Sequence, residues 1–195
     1  MYKKGVIIAL TGASGIIYGI RLLQQTSLLK KSYREVYAVY SRNAARVAEI
    51  EESTNLVEFL KSLELSGFYS SDDLEAPIAS SSRLVGFDMV VIPASLNTIA
   101  KIAHGIQDNL ITRSASGILR LRGKLVVVVR DTPLSAIDLE NLLKLARAGA
   151  LILPASPALY PKPKSLDDII NFVVGKVLDV LDIEHNLYIK WKPGT

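Results

Sequence analysis

The chain has no cysteine, only two histidines and a single tryptophan in 195 residues. Without cysteine there is no disulfide, no thiolate nucleophile and no sulfur-ligated metal, which suits a reducing compartment. His104 sits inside a helical pattern and His185 near the tail; neither is assigned to a metal, and no metal cofactor is expected. Long Lys/Arg blocks are also missing and aromatics make up 7%, so the net charge of +4 suggests a small anionic ligand rather than nucleic acid. No apolar run approaches the ~20 residues that span a bilayer. The short apolar stretch after Met-Tyr-Lys-Lys-Gly carries no cleavage-site pattern. A cytoplasmic protein without membrane contact is expected.

What the chain does have is apolar residues, at 49%. Its length suits one domain with a full core, taken as residues 1–195, and the apolar excess suggests buried subunit interfaces. Five β-branched runs recur without polar alternation: Gly5 to Thr11, Glu35 to Ser41, Asp88 to Ser95, Lys124 to Asp131 and Ala150 to Ser156. Continuous apolar runs are the mark of parallel strands covered on both faces. Helical patterns alternate with them, most clearly from Leu166 to Leu181, with Ser165 as N-cap and Asp167 and Asp168 in the first turn. The expected fold is α/β: a doubly wound, Rossmann/flavodoxin-like parallel sheet with helices on both faces. The longest irregular stretch, Leu65 to Arg83, is expected to be a lid or partner-contacting loop.

All five runs end in a small hydroxyl or acid: Thr11, Ser41, Ser95, Asp131 and Ser156. Ligands of open parallel sheets bind outside the carboxyl ends of the strands, so these side chains would line one crevice. Helix capping accounts for two or three of the five. The row as a whole favours a ligand site.

Two motifs carry chemistry. The first, "LTGASGIIYG" at residues 10 to 19, runs from strand into helix with three glycines. Such a turn lets backbone N–H groups approach an anion at a helix N-terminus. A nicotinamide reductase would share a glycine turn, and Arg42 after the second run would suit its ribose phosphate. Its Tyr-x-x-x-Lys pair is matched only formally by Tyr160 and Lys164, because Pro161 and Pro163 stop the two sharing a helical face. The second motif is "PASLNTIAKIAHGIQDNLITR" followed by "LVVVVRDTPLS". Arg113 and Arg120, seven apart, share a helix face, and Arg130 ends the fourth run beside Asp131. Converging guanidinium groups would grip phosphate oxygens, whereas Arg122 and Lys124 read as solvated.

The order "TGASG…YG", "PASLNTIAKIAHGIQDNLITR", "LVVVVRDTPLS", "LENLLKLARAGALILPASPALY" and a closing "KW" resembles the UbiX-type flavin prenyltransferases of the flavoprotein decarboxylase-like family, over nearly the whole chain. The resemblance implies that reduced FMN is a substrate. A dimethylallyl group from dimethylallyl phosphate or diphosphate would be joined to its N5 and C6, and the product would serve UbiD-type decarboxylases. It implies FMN contacts from Gly12, Ala13, Ser14, Ser41, Ser95, Thr98 and Arg113, with Ser14 near the N5 edge. It implies a donor clamp of Arg113, Arg120, Arg130, Tyr160 and Lys176, with Trp191 offering its ring to the allylic group. Ser14, Glu51 and Asp131 would be catalytic, the two acids through proton transfer. Family members are homododecamers, and the same assembly is implied here.

The chain departs from the family pattern in places. Arg120 stands where lysine is usual, Asp131 where glutamate is usual, Lys176 where arginine is usual and Ser81 where glycine is usual. These changes leave the choice between monophosphate and diphosphate donors open. Tyr160 lies in a proline-rich loop where it would alternatively cap the core, and Lys176 in an amphipathic helix where it would alternatively snorkel. An FMN-dependent cysteine-type decarboxylase of the same fold family would need a histidine after the second run, and Ser41 to Asn55 contains none. A non-catalytic flavin-binding subunit would not need an acid beside a phosphate clamp.

Overall fold

The computed structural model describes residues 3–191. Its strands are β1 (Lys3–Leu10), β2 (Tyr33–Tyr40), β3 (Gly67–Ser70), β4 (Phe87–Ala94), β5 (Leu125–Val129) and β6 (Leu151–Pro154). Its helices are α1 (Ile16–Leu23), α2 (Thr26–Ser32), α3 (Arg42–Glu52), α4 (Leu56–Lys61), α5 (Leu96–Ala103), α6 (Leu110–Arg120), α7 (Ala136–Arg147) and α8 (Leu166–Val180). The strands form one parallel sheet in the order β3-β2-β1-β4-β5-β6.

Apolar side chains on both sides of each central strand make this a three-layer molecule. Along β1, Val6, Ile8 and Leu10 join a core with α1, α2, α3, α4 and α8, while Ile7 and Ala9 face α5, α6 and α7. Every residue of β4 is buried. That is why these runs show no polar alternation.

The stretch from Leu65 to Arg83 is a correction to the sequence reading. It contains the edge strand β3, paired to β2, and a one-turn 3-10 helix at Pro77–Ala79. Ile78 in that turn is fully buried, and its carbonyl accepts a hydrogen bond from Ser114 Oγ at 3.0 Å. Its strand is paired into the sheet and its 3-10 turn is packed onto α6, so it does not hang free as a lid.

At the amino end of the sheet, Asp88 is buried and gathers Tyr33 Oη at 2.7 Å, Lys3 Nζ at 2.6 Å and the backbone N–H of Lys124 at 2.8 Å. Burial pushes the Tyr33 phenol far above its usual pKa, and Asp88 adds to the effect. Tyr33 therefore stays a donor. Among the described residues no helix is long and apolar enough to cross a membrane.

Candidate functional site

In this strand order the chain turns opposite ways after β1 and β4, leaving a crevice outside their carboxyl ends. Thr11, 1% exposed, ties the two ends together: its Oγ1 donates to Pro93 O at 2.6 Å and accepts from Ser95 N at 2.8 Å. Ser95 then caps α5 by accepting from Thr98 N, and its Oγ lies 2.9 Å from Thr98 Oγ1. Ser41 caps α3 by accepting from Ala44 N at 3.1 Å, while its own N–H donates to Leu10 O at 3.0 Å. Two of the strand-end hydroxyls are thus helix caps. They sit at the crevice nonetheless.

The glycine turn follows β1 directly. Ala13 is buried and its N–H donates to Thr11 O at 2.9 Å, which bends the chain so that Ser14 is exposed. A Cβ on Gly12 would fall 2.4 Å from the Cβ of Asn43, so this approach of the turn to α3 needs glycine. Gly15 has φ +86° and precedes α1. The N–H groups of Gly15 and Ile16 donate to Glu51 Oε2 at 2.8 and 3.2 Å. The anion on this helix N-terminus is therefore the protein's own carboxylate, brought from the end of α3.

Arg130, just past β5, donates from Nε to Ser14 O at 2.9 Å. Its two terminal nitrogens have no protein partner among the described residues. Tyr18 on α1 lies against the same turn; burial pushes its phenol upward and the Arg130 charge pulls it back. Arg130, Asp131 and Ser156 line a cavity of about 520 Å³. Asp131 is exposed, with Oδ1 accepting from Thr132 N at 2.9 Å.

A second cavity, of about 570 Å³, shares Pro154 and Ser156 with the first and is lined by Phe172, Lys176 and Asp179. Lys176 lies over the rings of Tyr188 and Phe172, at 5.1 and 5.5 Å. The Tyr188 hydroxyl beside it holds the Lys176 ammonium above its usual pKa, against the effect of burial. Phe172 meets Tyr160 edge-on at 6.2 Å, and Tyr160 meets Trp191 edge-on at 5.4 Å. Lys176, Tyr160 and Trp191 are thus linked through one aromatic chain.

Arg113 and Arg120 share a face of α6 and line a third depression of about 480 Å³ with Ser80, Ser81 and Gln107. Arg113 Nε donates to Ala79 O at 3.0 Å. The expected convergence of three arginines is therefore not formed within one chain: Arg113 and Arg120 share one depression and Arg130 lines another. No group of three His, Cys, Asp or Glu among the described residues is placed to hold a metal ion.

The sequence matches the Flavoprotein family over residues 1–178. It is 47% identical over 190 residues to the flavin prenyltransferase UbiX of Saccharolobus solfataricus, covering 97% of this chain and 92% of that one. The chain belongs to the UbiX flavin prenyltransferases. Among solved UbiX structures, AnUbiX (PadA1) in complex with FMN and dimethylallyl pyrophosphate superposes with a TM-score of 0.90 at 34% identity, covering 99% of this chain and 100% of that one. A dodecameric FMN-dependent UbiX-like decarboxylase from Escherichia coli superposes with a TM-score of 0.88 at 35% identity, covering 96% and 99%. As a member of the UbiX family the chain is a flavin prenyltransferase with a flavodoxin-like fold.

Two residues that border the candidate site were not singled out from the sequence. Tyr18 packs on the glycine turn, three residues after Gly15, and the pattern of glycines and Ser14 does not show that contact. Asp179 gathers three tail side chains and Lys176. The signal available for Asp179 was Gly175, a glycine inside an otherwise strong helix pattern.

Proposed function

We propose that reduced FMN docks across the carboxyl ends of β1 and β4 and receives a dimethylallyl group from an allylic phosphate or diphosphate held beside Arg130. Gly12, Ala13, Ser14, Ser41, Ser95 and Thr98 border the flavin, with Arg113 added from α6. The observation that carries the reading is Arg130: one guanidinium nitrogen is spent on the glycine turn and two remain for phosphate oxygens, so flavin turn and donor grip are mechanically joined. Reduced FMN supplies the nucleophilic positions N5 and C6. As the donor's carbon–oxygen bond breaks, the pair of electrons leaves with the phosphate, and fixed cations at Arg130 and Lys176 stabilise that charge as it grows. The rings of Tyr160 and Trp191 face the allylic cation. N5 bonds one end of the allyl group as the phosphate leaves and gives up its proton; the remaining double bond takes up a proton, C6 attacks the resulting tertiary cation, and Asp131, exposed at the same cavity, is assigned the proton then released from C6.

Glu51 holds the first N–H groups of α1, and its assignment to proton transfer rests on its carboxylate lying against the residues that follow Ser14. Arg113 and Arg120 lie away from Arg130 within the chain, so their part in the clamp is assigned to a neighbouring copy in a homododecamer. An apolar surface from α7 and β6, where Ile137, Leu143 and Leu151 are 70%, 50% and 42% exposed, suits such assembly. We assign the whole of residues 1–195 to one flavin-binding unit in the cytoplasm, with a UbiD-type decarboxylase as recipient of the product. The test is reconstitution. This protein with reduced FMN and dimethylallyl phosphate or diphosphate should activate a flavin-free UbiD-type decarboxylase under anaerobic conditions, and failure with both donors would contradict the reading.

A further inference from the structure

Gly175 sits in the middle of α8, where glycine costs about 1 kcal/mol relative to alanine. A Cβ there would lie 2.5 Å from the Tyr188 ring and 2.7 Å from the His185 ring. The helix has given up a side chain so that the chain after it can fold back and lie on it. One turn further on, and so on the same face, stands Asp179. Its carboxylate accepts from the Tyr188 hydroxyl, from Lys190 Nζ at 2.7 Å and from His185 Nε2 at 3.3 Å, and pairs with Lys176 Nζ at 3.7 Å. His185 Nδ1 accepts from Leu187 N at 3.1 Å, which leaves the ring hydrogen on Nε2 and makes that nitrogen the donor to Asp179.

The four partners come from two places with different tasks. Lys176 belongs to α8 and borders the second cavity; His185, Tyr188 and Lys190 belong to the returning tail. The residue after Lys190 is Trp191, whose ring meets Tyr160. We propose that Asp179 is a positioning residue: one carboxylate that docks the tail onto α8 and in doing so fixes both Lys176 and Trp191 at the allylic-donor cavity. The proposal rests on the assignment of Lys176, Tyr160 and Trp191 to the donor. A single exposed ion pair would contribute little, but three hydrogen-bond donors and the Lys176 ammonium on one carboxylate form a network that holds or fails together.

The variants that test it are Asp179→Asn, which leaves the fold-back surface intact but removes the charge, and Gly175→Ala, which favours the helix while blocking the tail. Trp191 is the chain's sole tryptophan, so its fluorescence anisotropy reports tail docking without a label. Both full-length variants should show lower Trp191 anisotropy and stronger acrylamide quenching. Both should raise KM for dimethylallyl phosphate on the order of tenfold, the scale of one lost charge-assisted contact, with FMN affinity and far-UV circular dichroism unchanged. Unchanged anisotropy in both variants overturns the latch, whatever the activity. Loosened anisotropy with unchanged donor KM overturns the positioning role. If the unsubstituted protein transfers no prenyl group, the functional reading fails instead, and the anisotropy arm still decides whether Asp179 docks the tail.

Discussion

In the proposed site, Arg130 is the residue on which flavin and donor chemistry meet. Arg130→Ala removes a pair of phosphate donors and releases the Ser14 carbonyl. Prenyl transfer should fall roughly a hundredfold or more, the usual loss when a preorganised donor to developing charge is removed, while FMN binding weakens only several-fold. Single-turnover rates and flavin titration separate the two, and equal losses in both would show that Arg130 serves the flavin alone. Its place after an apolar run was readable from "VVVVRD". Glu51 was readable as an acid but not as the partner of Gly15 and Ile16, because 36 residues separate it from Gly15 and only the packing of α3 beside α1 brings them together. Arg113 and Arg120 were legible as one helix face, and helical spacing says nothing about which cavity that face borders.

At the scale of elements, α8 was the most legible because its start is written locally. Ser165 accepts from Asp168 N, and the Asp168 carboxylate accepts from the N–H groups of Lys164 and Ser165 at 2.8 and 3.0 Å. Ser165→Ala should cost about 1 kcal/mol in chemical denaturation. The bonds from Lys164 and then Ser165 hold the Asp168 carboxyl below its usual range. A depressed carboxyl stabilises fully above its unfolded value and loses that contribution as pH falls through the folded one. The melting-temperature gap between Asp168→Asn and the unsubstituted protein should therefore be present at neutral pH and close in strong acid; a gap independent of pH would contradict the capping role. By contrast β3 was not legible. It has four residues, Gly67–Ser70, none fully buried, and its strand character comes from pairing with the edge of β2.

On the scale of the whole molecule, the sheet separates stability from chemistry. The amino ends carry the buried Asp88 network and the carboxyl ends carry the crevice. Asp88→Ala leaves Tyr33, Lys3 and the Lys124 N–H without their shared acceptor. It should lower stability by about 3 kcal/mol, as breaking a buried charged network does, without changing KM for FMN or donor in the folded protein. A changed KM for FMN or donor would show that the two ends are coupled. The layered sheet itself was legible because continuous apolar runs of this length need cover on both faces. The separation of the arginines was not, since helical spacing does not say that Arg113 and Arg130 border separate cavities in the single chain.

The most direct measurement of the central claim is the mass of the flavin extracted after anaerobic incubation of the protein with reduced FMN and dimethylallyl phosphate, and in parallel with the diphosphate. The extracted FMN should be heavier by one five-carbon prenyl unit with at least one donor. Unmodified FMN with both donors would contradict the claim.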